Sequence, residues 1–170
     1  MPANKQFAGI FFFMNLERYD FRTNETFLDF QFDSEGPNGI IRKVVEYSLE
    51  NANGIIYFNL GFGDLDPDTG KIDDLAISDN KDRDKILATV AATVVEFLRQ
   101  FPDLKVYAKG STKSRTRLYQ MVISANITQI STVLEIFGLY EGQWQRFRKN
   151  INYDAFLVKR KSRKFTNRKK

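Results

Sequence analysis

Polar and apolar residues alternate through Asp29-Phe30-Gln31-Phe32-Asp33, and this two-residue period is that of a strand with one face buried. It predicts a strand over residues 26–33, closed by the turn-forming run Ser34-Glu35-Gly36-Pro37-Asn38-Gly39. Residues 40–49, rich in β-branched side chains, form a second strand that stops at Glu50-Asn51-Ala52-Asn53-Gly54. Residues 55–62 form a third. After Asp66-Pro67-Asp68-Thr69-Gly70, residues 71–78 form a fourth. Short polar turns between four strands predict an antiparallel meander.

The period then lengthens. Ile86, Leu87, Val90, Val94, Phe97, Leu98 and Phe101 follow helical spacing, with Asp82 and Asp84 at the positive end and Pro102 just past the finish. A helix over residues 82–101 is the most strongly patterned element. Residues 104–109 read as a short strand, and Gly110-Ser111-Thr112 offers a turn and a hydroxyl cap for a second helix through about Ile123. Asn126 and Gln129 have the spacing of a capping box, which predicts a third helix over residues 127–137 ending at Gly138. Residues 139–147 and 152–158 then form a closing hairpin. The fold class is α+β, a mostly antiparallel sheet with helices packed against it.

Length, composition and charge narrow the chemistry. With 170 residues the chain is one domain's worth, and 42% hydrophobic with 28% charged residues is ordinary globular usage. No apolar run is long enough to span a bilayer, and no membrane association is expected. The run Phe7 to Met14 follows Lys5 in the manner of a signal peptide, but no small-residue cleavage site follows it; it reads as a buried strand or an extension, in a cytoplasmic protein. Without His or Cys there is no Ser-His-Asp or Cys-His nucleophile, no histidine base, no disulfide and no zinc site of the usual ligands. No cofactor is expected.

The net charge of +5 is carried by the end of the chain. Residues 159–170 hold eight of the 26 basic residues, so residues 1–158, with 18 basic and 21 acidic residues, are net −3. The expected organisation is an extension over residues 1–13, one α+β domain over 14–158, and a basic tail over 159–170 suited to nucleic acid or an acidic protein partner.

Three stretches, Gly36-Pro37-Asn38-Gly39-Ile40-Ile41-Arg42-Lys43, Asn59-Leu60-Gly61-Phe62-Gly63-Asp64 and Tyr107-Ala108-Lys109-Gly110-Ser111-Thr112-Lys113-Ser114-Arg115-Thr116-Arg117-Leu118-Tyr119, resemble a family of small bacterial proteins, frequent in Bacteroidetes, known only as a domain of unknown function. The likeness runs over roughly residues 14–159. It implies a cytoplasmic bacterial protein and brings no catalytic residues with it.

Chemically, the basic strand-turn-helix is the most informative segment. Lys105, Lys109, Lys113, Arg115 and Arg117 place five cations in thirteen residues without an acid, around Ser111 and Thr112 where a helix begins. Backbone N–H groups, hydroxyls and cations at a helix start suit a phosphate, so these seven residues are the candidate phosphate- or nucleic-acid-binding set. The competing reading is structural: a hydroxyl caps the helix and the arginines pair with aspartates. Asp64-x-Asp66-x-Asp68 opens like a calcium loop, but Leu75 stands where the bidentate Glu is needed, and no metal site is expected. Phe27, Phe30 and Phe32 either fill the core or leave one ring free to stack on a base. Trp144, among polar neighbours, is a candidate partner-facing aromatic.

The order strand, helix, strand, helix, strands is similar to the second half of the acetyl-coenzyme A dependent N-acetyltransferases, where the resemblance makes Tyr119 the candidate acid. Their glycine-rich pyrophosphate loop is missing from Asn80-Lys81-Asp82-Arg83-Asp84-Lys85. The expected function is polyanion binding, of nucleic acid above all; an acyltransferase-like protein, inactive or active, and a toxin or partner-regulated protein are the alternatives.

Overall fold

The computed structural model describes residues 16–162. In chain order these form β1 (Arg22–Thr23), β2 (Asp29–Gly36), β3 (Gly39–Ala52), β4 (Ile55–Leu65), β5 (Ile72–Asp73), α1 (Arg83–Gln100), β6 (Lys105–Ala108), α2 (Lys113–Ile130), β7 (Leu134–Tyr140), β8 (Gln143–Arg146) and β9 (Ala155–Arg160). The strands make one sheet in the order β1-β2-β3-β4-β6-β9-β7-β8, with β5 on β4. All pairings are antiparallel except β4 with β6. The fold is α+β, and no helix of the described residues is long and apolar enough to cross a membrane.

Two crossovers shape the molecule. The chain leaves β4, forms α1 and returns as β6 beside β4; it leaves β6, forms α2 and returns as β7 beyond β9. Both crossovers step the same way along the sheet, so a common right hand puts both helices on one face. Leu87, Val90 and Val94 of α1 and Tyr119, Val122 and Ile123 of α2 accordingly line one cleft above Leu60, Ile136, Phe156 and Val158.

The inner face shows why these strands form. Phe58, Val106, Val158 and Ile136 stand opposite one another across β4, β6, β9 and β7. Alternation along each strand then sends their neighbours to the outer face. On β2 and β3 the inward residues are Phe30, Phe32, Val45 and Tyr47, all buried. Phe97 of α1, fully buried, stacks 4.3 Å from Tyr47 and lies 5.2 Å from Phe58 and 5.1 Å from Phe101. The Tyr47 hydroxyl shares a 2.9 Å hydrogen bond with Thr93 Oγ1.

The structure corrects several sequence expectations. The third helix over 127–137 does not exist: α2 runs unbroken to Ile130, Asn126 donates back to the Val122 carbonyl instead of capping, and residues 134–140 are β7. Leu134, Ile136 and Gly138 are buried at alternate positions, a strand period that the capping-box spacing masks. The fourth strand shrinks to Ile72–Asp73, because the Asp73 carboxylate accepts the Leu75 N–H in a turn, and Asp79 and Lys81 then take positive φ. The closing strands do not pair with each other: β8 pairs β7 through the positive-φ turn Glu141-Gly142, while β9 inserts between β6 and β7. Phe30 and Phe32 are core residues and Phe27 packs against the core, so none of the three is a stacking platform. The extension expected over residues 1–13 lies outside the described residues.

Replacing Phe97 by Ala should cost about 3–5 kcal/mol, because it leaves a cavity among three aromatic rings where α1 meets the sheet. Urea unfolding checks this by a lowered midpoint at unchanged slope; a loss below about 1 kcal/mol would contradict the packing.

Candidate functional site

Within the basic strand-turn-helix the backbone comes first. A Cβ on Gly110 would lie 2.4 Å from the Thr116 backbone nitrogen, so only glycine lets the turn close on α2. Gly110 N–H donates to Thr116 Oγ1 at 3.0 Å, and Thr112 caps the helix by accepting from Arg115 N–H at 3.2 Å. Ser111 Oγ donates to the Asp74 carbonyl at 2.8 Å. Arg115 donates to the carbonyls of Asp74 and Ala76, and Arg117 to Asn152 Oδ1. The two arginines thus tie α2 to two loops by oxygen acceptors other than carboxylates. Lys109 and Lys113 are exposed, and Lys105 is on the opposite face of the sheet from α2. Of the seven candidate residues, Thr112 and Arg115 line a groove at the start of α2 while Lys105 lies on the far face of the sheet, so the set does not converge on one surface.

The first surface is a groove of about 910 Å³. β4 pairs β6 only from Phe58 to Leu60 and then runs on to Leu65 without it, so the sheet opens where α1 and α2 both begin. Lys43, directly opposite Asp64 in the β3–β4 register, lines this opening; its side chain is only 4% exposed, and its Nζ donates to Asp64 and, at 2.6 Å, to Ser78 Oγ. Asp82 closes one end: its Oδ2 accepts from Ser34 Oγ at 2.6 Å and Tyr19 Oη at 2.8 Å, while its buried Oδ1 has no partner among the described residues. Most of the remaining charge is balanced within the groove's own lining, through the ion pairs Lys43–Asp64, Lys81–Asp79, Arg83–Asp84 and Lys85–Glu17. Tyr119 borders the groove, its phenol pushed up to about 12 by burial and therefore neutral at physiological pH.

The second surface is the outer face of the sheet, which neither helix covers. Asn59, Tyr107, Leu157, Phe137 and Arg146 stand in one row across β4, β6, β9, β7 and β8. Tyr57 lies 5.3 Å from Tyr107, and Tyr107 lies 6.1 Å from Trp144 at an 80° tilt, a chain of three rings across the sheet. Trp144 is 43% exposed, as its polar neighbours suggest. Burial holds the Tyr107 phenol above its ordinary value. Lys105 and Lys159 face each other across β6 and β9. Lys159 Nζ and the Arg146 guanidinium lie 5.6 and 5.8 Å from the Phe137 ring centre, and both reach Glu135, at 3.4 and 3.6 Å. The basic run begins inside the fold: Lys159 and Arg160 end β9, and Lys161 Nζ donates to the Ser131 carbonyl. The rest of the expected tail, residues 163–170, lies outside the described residues.

The sequence pattern singles out Lys105 and Trp144, and Asp64 only as the start of a calcium-like motif, but passes over Tyr57, Tyr107, Phe137 and Lys43 as site residues. Their signal is a matter of phase. Tyr107 alternates between Lys105 and Lys109 on one side of β6, and Lys43 occupies the same phase as Val45 and Tyr47, where an apolar residue belongs. The acidic motif is structural: Asp66 Oδ1 accepts the Asp68 and Thr69 N–H groups and shapes the hairpin turn.

Removing one partner of the Lys43–Asp64 pair strands a buried charge, so Lys43→Ala or Asp64→Ala should cost about 3–5 kcal/mol, whereas the double change Lys43→Met with Asp64→Leu should fall near the parent. Thermal melts of the three variants check it; single changes as stable as the double would contradict the pairing.

No curated protein and no solved structure shows a significant match to the chain. One family model does, and it spans nearly all the described residues, over both surfaces. On that match, covering residues 15–161, the chain belongs to the family of unknown function DUF6934.

Proposed function

We propose that the protein is a polyanion-binding module that takes single-stranded nucleic acid across the outer face of its sheet. The observation that carries this reading is the chain of rings Tyr57, Tyr107 and Trp144, bordered by Lys105, Lys159 and Arg146. Every base has a face that stacks on an aromatic ring, at about 1–3 kcal/mol per base, and cations beside the rings track the backbone. The half of the face formed by β2 and β3 carries Asp29, Glu46 and Glu50, and its Asp33 is already taken by Arg42 and Arg22. A bound strand follows the rings along β6, β9, β7 and β8, where Glu135 pairs with Lys159 and Arg146, and in sequence β9 is followed by the basic residues 163–170.

An acyltransferase is the weaker reading. Tyr119 borders the groove as a neutral phenol, which suits an acid, but the start of α1 that would cradle a pyrophosphate bears Asp82 and Asp84 and no glycine.

Fluorescence anisotropy with oligo(U), oligo(dT) and duplex DNA at several salt concentrations tests the proposal. Tyr107→Ala and Trp144→Ala should each weaken single-strand binding about tenfold with little change in salt slope. Lys105→Gln, and removal of residues 163–170, should flatten the slope by about 0.7 for each phosphate no longer neutralised. Arg115→Ala with Arg117→Ala should change affinity by less than about twofold, since both face away from the ring chain. Equal affinity for duplex, or aromatic variants that bind like the parent, would overturn the reading.

A further inference from the structure

The groove offers chemistry that the outer face does not use. Leu87 and Tyr119 line both the groove and the cleft between α1 and α2, so the two cavities adjoin. The cleft, about 90 Å³, is walled by apolar side chains, with Tyr119 the one polar residue among its described lining. An apolar space of this order accepts a small apolar group, about a ring or a short chain.

At the polar end, Arg115 is the cation that stands outside the ion pairs of the groove. Once the four ion pairs around the groove are set aside, its charged lining residues among those described reduce to Arg115 and Asp82. Asp82 is engaged at the end of the groove: its Oδ2 accepts from Ser34 and Tyr19, and its Oδ1 is sealed from solvent. Arg115 has given donors to two main-chain carbonyls and retains others of its five N–H groups. Lys43, almost wholly buried, has one ammonium proton beyond its two bonds. Thr112 and Ser114 stand beside Arg115 at the start of α2, whose first turn has no acid. Tyr119, whose hydroxyl proton is retained at physiological pH, sits where the apolar and polar parts join.

From these features we infer that the groove and cleft together bind a small amphipathic anion, a carboxylate on a short apolar chain or ring. The chain enters between α1 and α2, the head meets Arg115, and Tyr119 donates to it from the junction. The ligand is smaller than an acyl-coenzyme A, because Asp84 and the glycine-free start of α1 oppose a pyrophosphate.

Calorimetric titration of the full chain with hexanoate, hexylammonium and acetate tests the inference, with thermal melts in parallel. Hexanoate should bind saturably and raise Tm by mass action, while hexylammonium and acetate at the same concentration should not. Ala91→Leu, which fills the cleft from α1, should weaken hexanoate at least tenfold while keeping a cooperative melt. Arg115→Gln should weaken it similarly, and Arg115→Lys should restore part of the loss. Trp144→Ala should leave hexanoate binding unchanged, so this inference and the nucleic-acid reading fail separately. Absence of hexanoate binding, equal binding of hexylammonium, or an Ala91→Leu variant that binds like the parent would each overturn it.

Discussion

Phe97, stacked on Tyr47 and wedged between Phe58 and Phe101, seats α1 on one face of the sheet, and the rest of the arrangement depends on that seat. Because α1 is the crossover from β4 to β6, its side decides the side of the parallel step. The next crossover has the same hand and direction, so α2 follows onto the same face. One face becomes the core and the other is left bare. The same step opens the groove, since β4 and β6 part beyond Leu60 and both helices start there.

The two surfaces use charge in opposite ways. In the groove, opposite charges are paired, down to a buried lysine opposite an aspartate, and Arg115 and Asp82 stand outside the ion pairs, each held by neutral partners. A buried pair of this kind contributes little net stability; it holds a polar floor in place at the edge of an aromatic core. On the outer face the cations border aromatic rings, and Glu135 positions Lys159 and Arg146 against Phe137.

Much of the fold is legible in the sequence. Alternation identifies β2, β-branched content identifies β3, the flanking turns delimit β4, helical spacing identifies α1, and the glycine-hydroxyl turn identifies the start of α2. At two departures tertiary partners act against a local motif, in the second together with the local Asp73–Leu75 turn. Asn126 and Gln129 spell a cap, yet α2 continues because Ile127 and Ile130 pack on the core. Residues 74–78 spell a strand, yet Ser111, Arg115 and Lys43 draw them over the groove. For the site, cations clustered in sequence are visible, but their division between two faces is not, since it depends on Lys105 preceding the turn and Arg115 following it. The ring chain is hidden for the same reason. Tyr57, Tyr107 and Trp144 are far apart in sequence and meet only through the order β4-β6-β9-β7-β8.

Trp144 is the chain's single tryptophan and stands at the exposed end of that ring chain, so its fluorescence reports on the outer face alone. Titrating the protein with oligo(U) at low salt measures stacking at this position directly. The expected result is saturable quenching that Tyr107→Ala weakens and added salt reverses. Binding seen by another signal with Trp144 emission unchanged would contradict it, because the nucleic acid would then lie elsewhere on the molecule.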